Sequence, residues 1–174
     1  MRLRNISVFT GVVIVLSLVS CSGSGDSVVE LERFSANTLE DLLTQTNVMI
    51  DKEITSDGDG SLRYSVSDPQ TIRLFEVRNI DVDDARLIYQ ARLRTEDVQG
   101  QVYLEMWCYF PDKGEFFSRS VDTPLTGSTE WTTEETPFSL KKGENPDFVK
   151  LNLVFDGTGT VWIDDIRLLK VPLE

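Results

Sequence analysis

From Ser61 onward, apolar and polar residues alternate in short runs separated by turn-forming residues. Period-two alternation places neighbouring side chains on opposite faces of a strand. The runs predict eight strands: Ser61 to Val66, Thr71 to Val77, Arg86 to Arg94, Gln101 to Phe110, Glu115 to Val121, Glu130 to Leu140, Phe148 to Phe155 and Thr160 to Leu169. Breakers such as Asp68-Pro69, Gln99-Gly100, Lys142-Gly143 and Asp156-Gly157-Thr158-Gly159 stand between them. Many short strands with regular turn signals predict an all-β fold, an antiparallel two-sheet β-sandwich of the jelly-roll kind. Helical spacing occurs once, where Asn37 with Glu40 three residues later forms a cap-like pattern among Leu39, Leu42 and Leu43, so at most one short N-terminal helix is expected.

Strand parity also sorts the surfaces. Along Gln101 to Phe110 one face is Val102, Leu104, Met106, Cys108 and Phe110, a core lining; the other is Tyr103, Glu105, Trp107 and Tyr109. Arg86 to Arg94 separates Leu87, Tyr89, Ala91 and Leu93 from Arg86, Ile88, Gln90, Arg92 and Arg94, and Phe148 to Phe155 sets Lys150 and Asn152 opposite Val149, Leu151, Leu153 and Phe155. If these strands are neighbours in one sheet, its outer face combines Tyr103, Glu105, Trp107 and Tyr109 with Gln90, Arg92, Lys150 and Asn152. Flat rings suit the C–H faces of pyranose sugars, while amide, guanidinium and carboxylate groups match vicinal hydroxyls. The same row also suits a cross-strand ladder, or filler between the sheet and the N-terminal segment.

The chain of 174 residues has 29 acidic and 17 basic side chains, a formal charge of −12 and no histidine. Without an imidazole, Ser-His-Asp and Cys-His nucleophile systems and His-ligated metal sites are excluded. The acidic balance opposes nucleic acid as a partner, because phosphate binding requires clustered Lys and Arg. Glu105 and Glu115 are formal candidates for a two-carboxylate glycosidase, but no motif brings an acid, a base and a groove together. A non-catalytic role is expected.

At the N-terminus, Arg2 and Arg4 precede an apolar stretch from Ile6 to Val19. This is the layout of a secretory signal, too short to span a bilayer as a helix. Leu18, Val19, Ser20 and Cys21 follow, and this segment resembles a bacterial lipobox. The resemblance implies a signal peptide over 1–20, a diacylglyceryl group on Cys21 and attachment to the lipid bilayer of the cell envelope. Ser22, at the position where Asp would favour inner-membrane retention, points to the outer membrane. Residues 21–27 are Ser- and Gly-rich and read as a tether, leaving 28–174 as the folded domain. With Cys21 lipidated, Cys108 has no disulfide partner and reads as a small buried hydrophobe.

The final run Gly159-Thr160-Val161-Trp162-Ile163-Asp164-Asp165-Ile166 holds two acids in an apolar strand. Either Val161 and Ile163 face inward and a bulge at Asp164-Asp165 restores the parity of Ile166 and Leu168, or Trp162 faces inward and Asp164 points into the sandwich. This ending resembles the galactose-binding-like jelly rolls, especially carbohydrate-binding modules that close on Gly-x-hydrophobic-hydrophobic-Asp-Asp-hydrophobic. The likeness extends to Asp57-Gly58-Asp59-Gly60-Ser61-Leu62 and to Trp131, and covers roughly residues 47 to 169. It implies a carbohydrate-binding role and a structural calcium ion, Ca2+, held by Asp57 or Asp59 with Asp164. The loop is not an EF-hand, since Leu62 stands where that loop needs Gly. Two roles follow as expectations, a tethered module that binds a glycan or a structural lipoprotein that docks an envelope protein.

Overall fold

In the computed structural model, residues 28–173 are described; the signal segment, Cys21 and the tether lie outside them. Two strands run much longer than the alternation predicts: β5 (Ala85–Phe110) and β8 (Phe148–Val171), of 26 and 24 residues. Each merges two expected strands across a glycine-containing bend. They pair antiparallel along nearly their whole length, and Gly100 lies opposite Gly157 where both turn. A Cβ on Gly157 would sit 1.9 Å from the Gln99 carbonyl oxygen, and one on Gly100 2.1 Å from that of Asp156. Only glycine admits this approach, and both hold positive φ.

The bend divides the hydrogen-bonded ladder into two sheets. The first comprises the early half of β5, the late half of β8, β7 (Leu125–Leu140) beyond β5, and β1 (Val29–Phe34) and β3 (Ser61–Val66) sharing the far side of β8, with β2 (Val48–Asp51) on β3. The second is β4 (Gln70–Arg78), the early half of β8, the late half of β5 and β6 (Gly114–Arg119). Pro137, which lacks an N–H, is accommodated because β7 is an edge strand.

Inward residues are those parity assigns. Leu87, Tyr89, Ala91, Leu93, Val161, Ile163, Ile166 and Leu168 from the first sheet, and Val102, Leu104, Met106, Cys108, Val149, Leu151, Leu153 and Phe155 from the second, are all fully buried in one cluster. Removing this apolar area from water is the main drive for the fold, at roughly 25 cal/mol per Å².

The parity question in β8 resolves through a bulge. Val161 and Ile163 face inward, Asp165 adopts φ 48°, the register against β5 shifts between Gln90 and Arg92, and Ile166 and Leu168 regain the inner face. Trp162 lies on the outer face, where Asp51 accepts its indole N–H at 2.9 Å and Arg63 stacks on its ring.

No helix forms between β1 and β2. Thr38 Oγ1 accepts the Glu40 N–H, Gln45 Nε2 donates to the carbonyls of Leu39 and Leu42, and the N–H groups of Leu43 and Thr44 donate to the edge of β4. Backbone donors that a helix would satisfy locally are used to cover a sheet edge.

Candidate functional site

The outer face of the second sheet carries the candidate site. Along β5, Tyr103, Glu105, Trp107 and Tyr109 project from this face, opposite Val154, Asn152, Lys150 and Phe148 of β8. On the far side of β8, Thr71, Arg73 and Glu76 of β4 pair with Val154, Asn152 and Lys150; beyond β5, Glu115, Phe117 and Arg119 of β6 pair with Tyr109, Trp107 and Glu105. Directly opposed residues in antiparallel pairs share a face, so four strands supply one continuous surface.

The centre of that surface is polar and tightly linked. Glu105, 3% exposed, accepts a hydrogen bond from Arg119 Nε at 2.6 Å and another from Asn152 Nδ2 at 2.9 Å. Arg119 lies over the Phe117 ring, 4.4 Å from its centroid, and Phe117 packs against Trp107 with centroids 5.0 Å apart. Lys150 Nζ donates to Glu115. Tyr109 stacks on Phe148 with centroids 4.7 Å apart, and Arg78 and Lys150 approach that ring. The side chains are therefore pre-ordered by one another, so a ligand would find them in place.

A groove of about 350 Å³ opens here, lined by Thr71, Arg73, Glu105, Trp107, Glu115, Arg119, Lys150 and Asn152. A second hollow of about 430 Å³ shares Thr71, Glu105 and Arg119 and continues toward Tyr103 and Asp156. Among the described residues, none that precedes Pro69 lines either. Asn152 is 5% exposed, yet among the described residues its buried Oδ1 has no hydrogen-bond partner. A buried acceptor without a donor is costly, and this one belongs to a side chain that lines the groove.

Of the residues expected on one face, Tyr103, Glu105, Trp107, Tyr109, Lys150 and Asn152 come together. Gln90 and Arg92 do not. They lie on the early half of β5, in the first sheet, where Gln90 Nε2 donates to Glu135 and Arg92 Nη1 to the Ser56 carbonyl. The cause is the bend: the two runs are one strand divided between two sheets, not neighbours within one. Thr71, Arg73, Glu115, Phe117 and Arg119 were absent from the expected set, although the alternation in Thr71 to Val77 and Glu115 to Val121 places them on one parity.

Asp57, Asp59 and Asp164 border a different cavity of about 250 Å³, together with Asp165 and Arg33. Asp164 is buried and both its oxygens accept backbone N–H groups, from Ser56 at 2.8 Å and Asp165 at 2.7 Å. Asp165 pairs with Arg33 and Arg167. Among the described residues, no group of three or more His, Cys, Asp or Glu side chains converges on a metal-sized point. Calcium needs six to eight oxygens. Asp57, Asp59 and Asp164 line this one cavity, and Arg33 and Arg167 provide the positive charge beside Asp165.

No protein-family model matches the chain, and no curated protein matches it. Solved structures do share its fold. The CBM22-1 xylan-binding domain from Paenibacillus barcinonensis Xyn10C is 10% identical, with a TM-score of 0.62 over 87% of this chain and 100% of that one. A family 16 carbohydrate-binding module is 13% identical, with a TM-score of 0.55 over 76% and 95% of the two chains. The CBM22-1-GH10 modules of Clostridium thermocellum xylanase 10B, complexed with xylohexaose, are 12% identical, with a TM-score of 0.56 over 80% of this chain and 28% of that one. At such identities the likeness establishes architecture: the chain has the β-sandwich fold seen in carbohydrate-binding modules.

Proposed function

We propose that the outer face of the second sheet is a non-catalytic glycan-binding platform, presented at the cell envelope by a lipid on Cys21. The observation that carries this reading is the half-buried row formed by Tyr103, Trp107 and Tyr109, of which Trp107 and Tyr103 line the two adjoining hollows. The row extends about 20 Å at roughly 3.4 Å per residue, room for several sugar rings of an extended chain. Ring faces supply apolar contact, and Glu105, Arg119 and Lys150 are held in fixed positions. Glu105 and Glu115, the two formal acid–base candidates, are each engaged by a cation. Two solved structures that share the fold are a xylan-binding domain and a module complexed with xylohexaose, which supports a glycan for this chain.

Affinity electrophoresis through gels containing xylan, β-glucan or galactan tests the platform. Retardation by at least one polymer is expected, with a loss of about tenfold in affinity for Trp107→Ala, in keeping with removal of one central aromatic contact. Unchanged retardation in that variant overturns it. The anchor is tested separately: fatty-acid labelling of the full chain is expected for the wild type and absent for Cys21→Ser.

Phe116 and Phe117, 47% and 51% exposed on the edge strand β6, favour a second reading, in which an envelope protein docks on that edge. Crosslinking in cells to one defined protein, lost in Phe116→Ser, distinguishes it from the glycan reading.

A further inference from the structure

We infer that the groove selects glycans that carry carboxylate groups, with Arg73 as the residue that reads the charge. This rests on the platform reading and names the ligand class for the same site. The groove lining bears Arg73, Arg119 and Lys150 against Glu105 and Glu115, and at its edge Arg78 serves both Glu76 and Asp147. Each carboxylate already has a cation: Glu76 with Arg78 at 2.6 Å, Glu105 with Arg119 at 2.6 Å, and Glu115 with Lys150. Arg73 is the one left over. Its backbone ties β4 to Thr44, while its guanidinium meets no acceptor among the described residues.

An exposed arginine without a partner is ordinary on a basic protein. This chain carries −12, so a groove with a surplus positive charge stands against the balance of the molecule. Asp156 borders only the adjoining hollow, at the Tyr103 end. The second observation is positional. Arg73 is the cross-strand partner of Asn152, and such partners have Cβ atoms about 5 Å apart on one face. A sugar residue seated over Asn152 therefore lies within reach of the Arg73 guanidinium, which its carboxylate can accept from. The planar guanidinium fork suits a carboxylate, engaging both oxygens at once. A neutral sugar leaves Arg73 as it is; an acidic one pairs with it.

The test compares polymers that differ only in charge. Glucuronoxylan and homogalacturonan, each beside its carboxyl-reduced form, are titrated against the mature chain by calorimetry and affinity electrophoresis. The expected result is binding of at least one acidic polymer about tenfold tighter than its reduced form, the size of a charge-assisted contact. The difference shrinks in Arg73→Gln to about twofold or less, chiefly through lost affinity for the acidic form. Raising salt narrows the wild-type preference, because the contact is partly exposed. Equal affinity for the two forms, still lost in Trp107→Ala, overturns the charge reading and leaves the platform standing. A preference that survives Arg73→Gln overturns the assignment to Arg73. Binding to neither form, nor to the neutral polymers above, overturns both.

Discussion

Asn152 donates from Nδ2 to Glu105 Oε1 across the β5–β8 pair at 2.9 Å, while the other end of the same amide, Oδ1, is buried without a partner. The two facts have one cause. An ionised carboxylate only accepts, so Glu105 fixes the amide with its NH2 toward itself and leaves the carbonyl oxygen on the other side. Arg119, bound to the second Glu105 oxygen, completes the arrangement. The fold thereby tolerates a buried acceptor in need of a donor at the middle of the second sheet's outer face.

Replacing Asn152 by Asp tests this relationship, because it exchanges the donor for a second carboxylate beside a nearly buried Glu105. The like charges disfavour ionisation of the pair, and stability should drop by about 2–3 kcal/mol at pH 7. The sign with pH follows from linkage: the folded variant holds a proton more tightly than the unfolded chain, so its deficit grows as pH rises and fades toward pH 4. Urea unfolding at pH 4.5 and 7 measures it. Equal deficits at both pH values would refute the account.

Glu134 provides a second pH signature. It sits on the edge strand β7 opposite Ala91, on the inward face, and is 7% exposed. Burial raises its pKa, Glu135 adds to the rise, and a hydrogen bond from Thr123 opposes it. Since the folded value lies above the unfolded one, this group favours the fold at low pH and costs stability as pH rises through the folded value. Glu134→Gln should unfold at a higher urea concentration than wild type at pH 7, with the gain vanishing below about pH 4.5, the ordinary carboxylate range. A gain that persists at pH 4 would assign the effect to packing.

Most of the candidate face was legible because β5 runs without a break from Gln101 to Phe110, so alternation alone separates Met106 from Trp107. Lys150 and Asn152 came by the same rule. Gln90 and Arg92 failed because period-two parity holds within a strand and carries no information about which sheet the strand has entered; Gly100 turns the chain between them and Tyr103. The N-terminal leucines failed for a related reason. Leu39, Leu42 and Leu43 have helical spacing, but the Leu43 and Thr44 N–H groups are claimed by β4, a contact about 30 residues away in sequence. The ion-pair count that isolates Arg73 required the register of four strands, which no local pattern contains.

Cys108 offers a test of the core. It is fully buried beneath the site, on the opposite face of the strand from Trp107, and burial pushes its thiol up to about 12. A thiolate is the reactive species, so in a Cys21→Ser chain the native protein should leave an aromatic disulfide reagent untouched at pH 8 over hours. One thiol should titrate promptly in 6 M guanidinium. Prompt native reaction would place Cys108 in an accessible site and break the parity on which the platform depends.

The bend between the two sheets makes the sharpest stability prediction. Gly157 has φ 154° and lies opposite Gly100, and an added Cβ would fall 1.9 Å from the Gln99 carbonyl oxygen. Both contacting groups are backbone, so no side chain can move aside; the strands must separate where they pass from one sheet to the other. Gly157→Ala should lose about 3 kcal/mol or more, in the range of severe backbone conflicts. Gly127 is the control. It also has positive φ, 65°, but nothing lies within 4 Å of its added Cβ, so Gly127→Ala bears only the left-handed penalty of about 1 kcal/mol. Urea midpoints of the two variants separate the effects, and equal losses would show that conformation alone, and not the close approach of β5 and β8, accounts for glycine at the bend.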